Sequence, residues 1–462
     1  MSAPAATLYN PLLLPEIREM LAENDHRGLT EVMTELHPVS IAEFAEGLSP
    51  DETWQLLSHA EIHRQAEVFS FFSPAKQEEL ASGGGREQMS KLLEAMSHDD
   101  RVDLLRRLEQ DVVDSLLPLV AKADREDIRR LLSYPEHSAG SVMTTDYATL
   151  PPDIPVSEAI GRVRREAPHK ETIYYVYVVD EERRLMGLVS LRELILAKPT
   201  SPVSDIMQTE VISVRVDQDQ EEVARELAKY DFIAIPVVDE QHRLVGIITH
   251  DDVIDVVVEE ATEDVHRMGA VGPLEEDYLK ARIVDVWRKR AVWLSLLFVA
   301  ELLTVHAMQT YEHELDKLVV LAMFVPLCMS IGGNSGSQAV TLITRALALN
   351  QVSIVDWARV LRHELLMGLL LGLTVGCFGF ACASLLTLLL SPPDVKAWKM
   401  GIVIAQAVAA ICIWGTVVGS MLPLLFKRLG FDPGYASSPF VATLVDVTGI
   451  LIYLSIAKVF LL

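Results

Sequence analysis

Long apolar stretches fill the last third of the chain, whereas the first two thirds alternate apolar and polar positions at short range. The blocks Ala291 to Met308, Leu318 to Leu349, Leu365 to Leu390, Met400 to Phe426 and Pro439 to Leu462 each meet the roughly 20-residue length at which a helix crosses a hydrocarbon layer. They predict five membrane-spanning helices. Upstream, Leu48-Ser-Pro-Asp-Glu-Thr-Trp-Gln-Leu-Leu57 and Met96-Ser-His-Asp-Asp-Arg-Val-Asp-Leu-Leu105 share one design, a cap at Ser49 or Ser97 followed by an apolar stripe. Weak repeats of this kind predict a small α-superhelix over 1–135. Gly83-Gly84-Gly85 interrupts it and Ser133-Tyr134-Pro135 ends it.

From Ser138 to about Val258, β-branched runs alternate with helical ones and the segment repeats itself. Tyr177-Val-Val-Asp-Glu-Glu-Arg-Arg-Leu-Met-Gly-Leu-Val-Ser-Leu-Arg-Glu-Leu194 matches Pro236-Val-Val-Asp-Glu-Gln-His-Arg-Leu-Val-Gly-Ile-Ile-Thr-His-Asp-Asp-Val253 almost position for position, and Val142-Met-Thr recurs as Ile206-Met-Gln. Each copy predicts a strand, a turn at Asp-Glu, a second strand through Gly187 or Gly246, and a helix capped by Ser190 or Thr249. The pattern is similar to a tandem pair of cystathionine-β-synthase (CBS) domains, over 136–200 and 201–258. Such pairs usually sense rather than catalyse. The resemblance implies an adenine-nucleotide site in which Ser/Thr-x-x-Asp holds the ribose. The second copy keeps that motif as Thr249 and Asp252, and the first has Ser190 with the longer Glu193.

The second copy runs on into Asp251-Asp-Val-Ile-Asp-Val-Val-Val-Glu-Glu-Ala-Thr-Glu-Asp-Val-His266, the start of a predicted connecting helix over 251–285. Asp252, Asp255 and Glu259 share one face of it, and Glu260, Glu263 and Asp264 form a second acidic patch. Like charges one turn apart destabilise a helix by tenths of a kcal/mol per pair, and a bound cation relieves that repulsion. Asp99 and Asp103 are a further pair one turn apart, for which a solvated face is the alternative. Carboxylates without sulfur and nearly without histidine point to a hard ion such as Mg²⁺ or Ca²⁺, not to zinc or copper. The overall charge agrees: 65 Asp and Glu stand against 40 Lys and Arg, a formal net charge of −25. That balance disfavours nucleic acid and anionic lipid and favours cations.

Basic residues gather before the first apolar block (Arg288, Lys289, Arg290), between the second and third (Arg345, Arg359, Arg362) and between the fourth and fifth (Lys427, Arg428). The other connections hold Glu312, Glu314 and Asp316 with one lysine, and Lys396 with Lys399. By the positive-inside rule the N-terminal region is expected in the cytoplasm and the C-terminus outside. The first 15 residues show neither a basic n-region nor a cleavable apolar core, so the first span is expected to do the targeting. Cys328, Cys377, Cys382 and Cys412 fall in apolar blocks without metal-ligand spacing and read as packing residues.

Two polar features interrupt the apolar blocks. Pro326-Leu-Cys-Met-Ser-Ile-Gly-Gly-Asn-Ser-Gly-Ser-Gln338 puts glycines, amides and hydroxyls at membrane depth, where freed backbone groups survive only against protein or water. It predicts a helix loosened or broken along a wet path; a tight helix contact through small residues is the alternative. Asp446 lies in Ser438-Pro-Phe-Val-Ala-Thr-Leu-Val-Asp-Val-Thr-Gly-Ile-Leu-Ile-Tyr453, where an ionised carboxylate costs several kcal/mol unless paired or hydrated. It is therefore the leading functional residue, with a protonated or salt-bridged structural Asp as the alternative. Glu301 and His306 are weaker candidates for contact with a pore or a helix interface.

Gly332-Gly-Asn-Ser-Gly-Ser-Gln338, Pro439-Phe-Val-Ala-Thr-Leu-Val-Asp-Val-Thr-Gly449, the CBS pair and the Glu259-Glu-Ala-Thr-Glu-Asp264 helix stand in an order that resembles the bacterial MgtE-type magnesium channel family over essentially the whole chain. The resemblance implies a multi-domain fold: an α-superhelical N-domain, an α+β tandem CBS pair, a long gating helix and an all-α transmembrane domain of five helices over 286–462. It implies a homodimer in the cell (inner) membrane with the pore between protomers. Asp446 of each would hold a hydrated Mg²⁺ beside the backbone near Ala442, with Ser438, Gly333, Asn334 and Gln338 along the path. It further implies regulatory Mg²⁺ at Asp99, Asp103, Glu221, Asp231, Asp252, Asp255, Glu260 and Glu263, which closes the pore when cytosolic Mg²⁺ is high, and it admits ATP as a regulatory ligand. Ser438-Pro439 departs from the Asn-Pro often found in the family, and Glu301 stands where a small or apolar residue is more usual.

Two other readings use the same residues differently. One is a proton- or sodium-coupled divalent cation exchanger with Glu301 and Asp446 as a coupled pair. The other is a non-transporting membrane sensor of nucleotide, which makes no use of Asp446. No nucleophile-base constellation appears, and Gly83 to Gly85 lacks the strand and lysine of a phosphate-binding loop, so no enzyme is expected.

Overall fold

The computed structural model describes residues 13–83, 85–274, 278–279, 281–311, 319–390 and 396–461. Gly84 and the acidic connection containing Glu312, Glu314 and Asp316 lie outside these residues. The chain divides after Val258 into two compact units.

The first unit opens with helices α1 (Leu14–Glu23), α2 (His26–Glu35), α3 (Pro38–Ala45), α4 (Pro50–Leu57), α5 (Ile62–Ser70), α6 (Pro74–Ser82), α7 (Arg86–Ala95), α8 (His98–Arg107), α9 (Gln110–Leu116) and α10 (Lys122–Leu132). Local signals start several of them. Proline opens α3, α4 and α6, where its missing N–H costs nothing. Ser49 and Glu52 form a reciprocal capping box at α4, the Glu52 carboxylate accepting the Ser49 N–H at 2.8 Å. Packing skips one helix at a time, α3 on α5, α5 on α7 and α7 on α9, with α6 on α8 and α8 on α10. This is the expected superhelical stacking, around a core that includes Leu29, Met33, Ile41, Leu56 and Phe69. Burying each such side chain is worth roughly 1.5–3 kcal/mol.

Ser97 does not cap α8 as its sequence pattern predicts. It stands at the N-cap, but its hydroxyl is buried without a partner. The neighbouring His98 fixes this end of α8 instead, by tertiary contacts: Nδ1 lies 2.9 Å from the Asp127 carboxylate and Nε2 3.4 Å from Asp146, and the ring touches the Thr145 hydroxyl. Val102 of α8 also enters the core of the second strand repeat.

The repeat folds as α11 (Ala139–Val142), β1 (Tyr147–Leu150), α12 (Val156–Glu166), β2 (Thr172–Val179), β3 (Leu185–Ser190) and α13 (Leu191–Leu196), then β4 (Val214–Arg215), α14 (Gln220–Tyr230), β5 (Ala234–Val238) and β6 (Leu244–Thr249). Each copy has a three-stranded sheet whose first pair is parallel and second antiparallel. The two copies exchange edges. Thr144 of the first copy pairs with Ile247 of the second, and Gln208 of the second pairs with Leu188 of the first, each through two backbone hydrogen bonds of 2.8–3.0 Å. That exchange accounts for the repeated glycines. A Cβ on Gly246 would lie 2.5 Å from Met143 Sδ, and one on Gly187 would lie 2.8 Å from the Gln208 carbonyl oxygen.

The long helices follow: α15 (His250–Met268), α16 (Ile283–Thr310), α17 (Val319–Ala348), α18 (Trp357–Leu390), α19 (Ala397–Arg428) and α20 (Ser438–Leu461). The connecting helix expected over 251–285 ends at Met268, because Ala270 adopts a left-handed φ of 56° and Gly272-Pro273 cannot carry the helix on. Among the described residues, four of the five long helices from α16 onward are long and apolar enough to cross a membrane by length and composition. The fifth is α17, 30 residues long, which carries the polar run.

Candidate ion pathway and carboxylate sites

α17 is continuous through the glycine-rich run, so the expected break does not occur. The glycines serve close packing. A Cβ on Gly332 would lie 2.5 Å from Ile411 Cγ2, one on Gly336 would lie 2.8 Å from Val441 Cγ1, and one on Gly415 would lie 2.6 Å from the Gly332 carbonyl oxygen. Ser335, buried here, donates to the Gly332 and Cys412 carbonyls at 3.1 and 3.3 Å, which keeps its hydroxyl satisfied between α17 and α19. The small-residue contact and the exposed polar side chains therefore occupy different faces of one helix. Ser330, Asn334, Gln338 and Thr341 are exposed in the single chain, and Asn334 donates to the Ser330 hydroxyl at 3.4 Å.

Asp446 borders this polar face. The position of a Cβ on Gly333 lies 3.4 Å from the Ala442 Cβ and 3.9 Å from Asp446 Oδ1, so Gly333, Ala442 and Asp446 form one wall. No hydrogen bond or ion pair to the Asp446 carboxylate is found among the described residues. Ser438 is the first residue of α20, and its carbonyl accepts from the Ser337 hydroxyl at 3.5 Å. Glu301 approaches from α16. α16 packs along α20, and Tyr311, which directly follows α16, meets Ser455 of α20 at 3.1 Å. Glu301 is half-buried on the stripe that includes Leu297 and Met308, whereas His306 is exposed.

In the first unit the structure brings Asp99 and Asp252 together. Asp99 Oδ1 is buried without a partner. Burial, then the charges of Asp252, Asp100 and Glu171, hold the Asp99 carboxyl well above its ordinary value. Asp252 is pushed up to about 6, by burial foremost and by the Asp251 charge, against hydrogen bonds from Thr249 and Asp99 that lower it. Two neighbouring half-buried carboxyls resist being ionised together. Asp103 stays largely exposed, 4.0 Å from Arg106, and Asp255 is exposed within electrostatic reach of Asp100 and Asp251.

Other predicted residues are kept apart. Glu221 pairs with Arg225 in the first turn of α14 and Asp231 caps the far end at φ 53°, roughly 15 Å away at helical rise. On α15, Glu263 is held by Arg267, and Glu260 stands three residues before it. Among the described residues, no group of three or more His, Cys, Asp or Glu side chains is placed to hold a metal ion. Thr249 donates its N–H and hydroxyl to Asp252 Oδ2 at 3.0 and 2.5 Å. In the first repeat, Glu193 closes a capping box on Ser190 and accepts from Gln208 at 3.0 Å, which occupies both oxygens of the longer acid.

Comparison with known proteins agrees with this layout. The family model for MgtE, a divalent cation transporter, matches residues 325–456, that for the MgtE intracellular N domain matches 36–137, and that for the CBS domain matches 139–199 and 203–259. The magnesium transporter MgtE of Thermus thermophilus is 40% identical, covering 97% of this chain and 98% of its own length. The chain belongs to the MgtE family. The Bacillus subtilis magnesium transporter MgtE is 31% identical over 98% of both chains. Among solved structures, the cytosolic domain of the Mg²⁺ channel MgtE in complex with ATP is 41% identical with a TM-score of 0.50, covering 53% of this chain and 100% of that one. The soluble part of a magnesium transporter is 32% identical with a TM-score of 0.51, covering 54% and 98%.

Sequence reasoning on this MgtE chain passed over two groups. Gly415 and Gly419 of α19, which receive the glycines of α17, carry a visible signal in their four-residue spacing. The contacts of His98 with Asp127 and Asp146 and of Arg267 with Asp432 carry none, because the partners are far apart in sequence and of ordinary charge.

Proposed function

We propose that this chain is a magnesium-selective channel that admits Mg²⁺ across the cell (inner) membrane as a homodimer, with its N-terminal region in the cytoplasm and its C-terminus outside. The carrying observation is the polar face of α17, which is unburied in the single chain and bordered by the unpartnered Asp446. Lipid does not tolerate such a face, and a second copy across a water-filled path supplies the cover it needs. Asp446, Ala442, Ser438, Gly333, Asn334 and Gln338 line the path. Mg²⁺ gives up inner-shell water reluctantly, so an open polar wall with one carboxylate per protomer suits the hydrated ion better than a cage of direct ligands.

Cytosolic Mg²⁺ closes the path by bridging carboxylates. Asp99 and Asp252 are the pair best supported, since the Asp252 charge disfavours that of Asp99 and one Asp99 oxygen lacks a partner. Asp103, Glu221, Asp231, Asp255, Glu260 and Glu263 would contribute through water or across protomers. ATP is a regulatory ligand of the second CBS repeat, with Thr249 and Asp252 toward the ribose; Ser190 and Glu193 are the weaker candidates, both Glu193 oxygens being engaged within the chain.

The test is Mg²⁺ uptake into proteoliposomes read by a Mg²⁺-sensitive dye, for wild type and Asp446→Ala, with and without an opposing proton gradient. Flux lost in the variant and indifferent to protons is expected. Flux that follows the proton gradient would favour the exchanger. Absence of wild-type flux at every Mg²⁺ and nucleotide concentration would leave the sensor.

A further inference from the structure

We propose that Arg267 is a positioning residue that couples the end of α15 to the start of α20, the helix that carries Asp446. The inference rests on the channel reading above and adds a residue that reading does not use. The guanidinium of Arg267 donates one nitrogen to Glu263, four residues back on α15, and another to Asp432 in the connection between α19 and α20. It also lies 5.5 Å from the centre of the Tyr435 ring. Tyr435 in turn stacks on Trp293 of α16, ring centres 6.2 Å apart. Gly434 makes this approach possible, since a Cβ there would lie 3.2 Å from the Arg267 Cβ. Asp432 is itself fixed, its other oxygen accepting the Gly434 N–H at 2.7 Å.

The chain from Asp432 to Ser438 is short, and Ser437 caps α20, its carbonyl accepting the Val441 N–H at 3.0 Å. A displacement of α15 is therefore passed to α20 through one planar, half-buried group with partners on both sides. Only arginine supplies this: its fork reaches two carboxylates at once and its flat face covers an aromatic ring. Arg267 also neutralises Glu263, one of the acids through which Mg²⁺ is read, so the residue that answers the ion is joined directly to the pore helix. Loss of the tie leaves α15 free to respond to Mg²⁺ without moving α20.

The experiment uses the full chain in inside-out patches, with Mg²⁺ titrated on the cytosolic face. Arg267→Glu and Asp432→Arg are each expected to raise the half-inhibiting Mg²⁺ concentration about fivefold or more while current at low Mg²⁺ persists. The swap carrying both changes is expected to return it to within about twofold of wild type. Arg267→Gln serves where charge reversal prevents folding, with the same expected loss of inhibition. Inhibition unchanged in Arg267→Gln, or a swap no better than its parents, would overturn the coupling. A wild-type chain without Mg²⁺ current would instead defeat the channel reading, which keeps the two failures distinct.

Discussion

Asp252→Asn removes one charge from the half-buried Asp99–Asp252 pair and keeps the acceptor that Thr249 uses at the N-terminal end of α15. In the folded chain the Asp252 carboxyl is raised from 3.8 to about 6, burial being the first cause. At 1.36 kcal/mol per pH unit, the shift corresponds to about 3 kcal/mol. The folded state binds this proton more tightly than the unfolded chain does. The contribution to stability is therefore fully present below about pH 4 and lost as pH rises through about 6. Above that pH the ionised Asp252 carboxylate bears the cost of its burial. Asp252→Asn should then be more stable than wild type at pH 7.5 in EDTA, by up to about 3 kcal/mol, or about 6–12 °C in Tm for a unit of this size. The gap should shrink at pH 5. Mg²⁺ at pH 7.5 should raise the wild-type Tm and leave the variant nearly unmoved. Differential scanning fluorimetry of the full chain in detergent measures both. Equal pH slopes for the two proteins, or equal Mg²⁺ stabilisation, would refute the reasoning.

Three further outcomes follow from the geometry. Gly415→Ala pushes a methyl group to 2.6 Å from the Gly332 carbonyl oxygen, so it should cost about 1–3 kcal/mol, seen as a lower melting temperature in detergent; Gly333→Ala meets nothing closer than 3.4 Å and should keep its melting temperature while changing Mg²⁺ flux beside Asp446. Asp446→Asn should weaken the block of monovalent current by millimolar Mg²⁺ by tenfold or more, since a divalent ion gains twice the attraction of a monovalent one from each lost charge; block unchanged in the variant would remove Asp446 from the path. His98→Ala leaves Asp127 and Asp146 without their shared partner and should cost about 1–3 kcal/mol, read as faster amide hydrogen exchange in α8 and β1, with exchange elsewhere in α1 to α7 unaltered.

Hydrophobic periodicity alone determined most of the architecture. Unbroken apolar blocks become long helices because lipid leaves the backbone no other partner, and the duplicated Val-Val-Asp-Glu segments become paired strands and capped helices because those signals act within a few residues of one another. Asp446 stood out for the same local reason, as a charge in an apolar helix. Tertiary structure decided which partner each polar group finds. The run Gly332 to Gln338 reads as a broken helix until α19 and α20 come up against its glycines, leaving Asn334 and Gln338 on the opposite face. Asp99 and Asp252, 153 positions apart, become one carboxyl pair, while Asp103, one turn from Asp99, faces Arg106 at 4.0 Å. Arg267 and Asp432, 165 residues apart, join the end of one helix to the start of another. Periodicity and capping are local energies that a sequence displays directly, whereas burial and charge pairing depend on which distant segments the fold brings within a few ångströms.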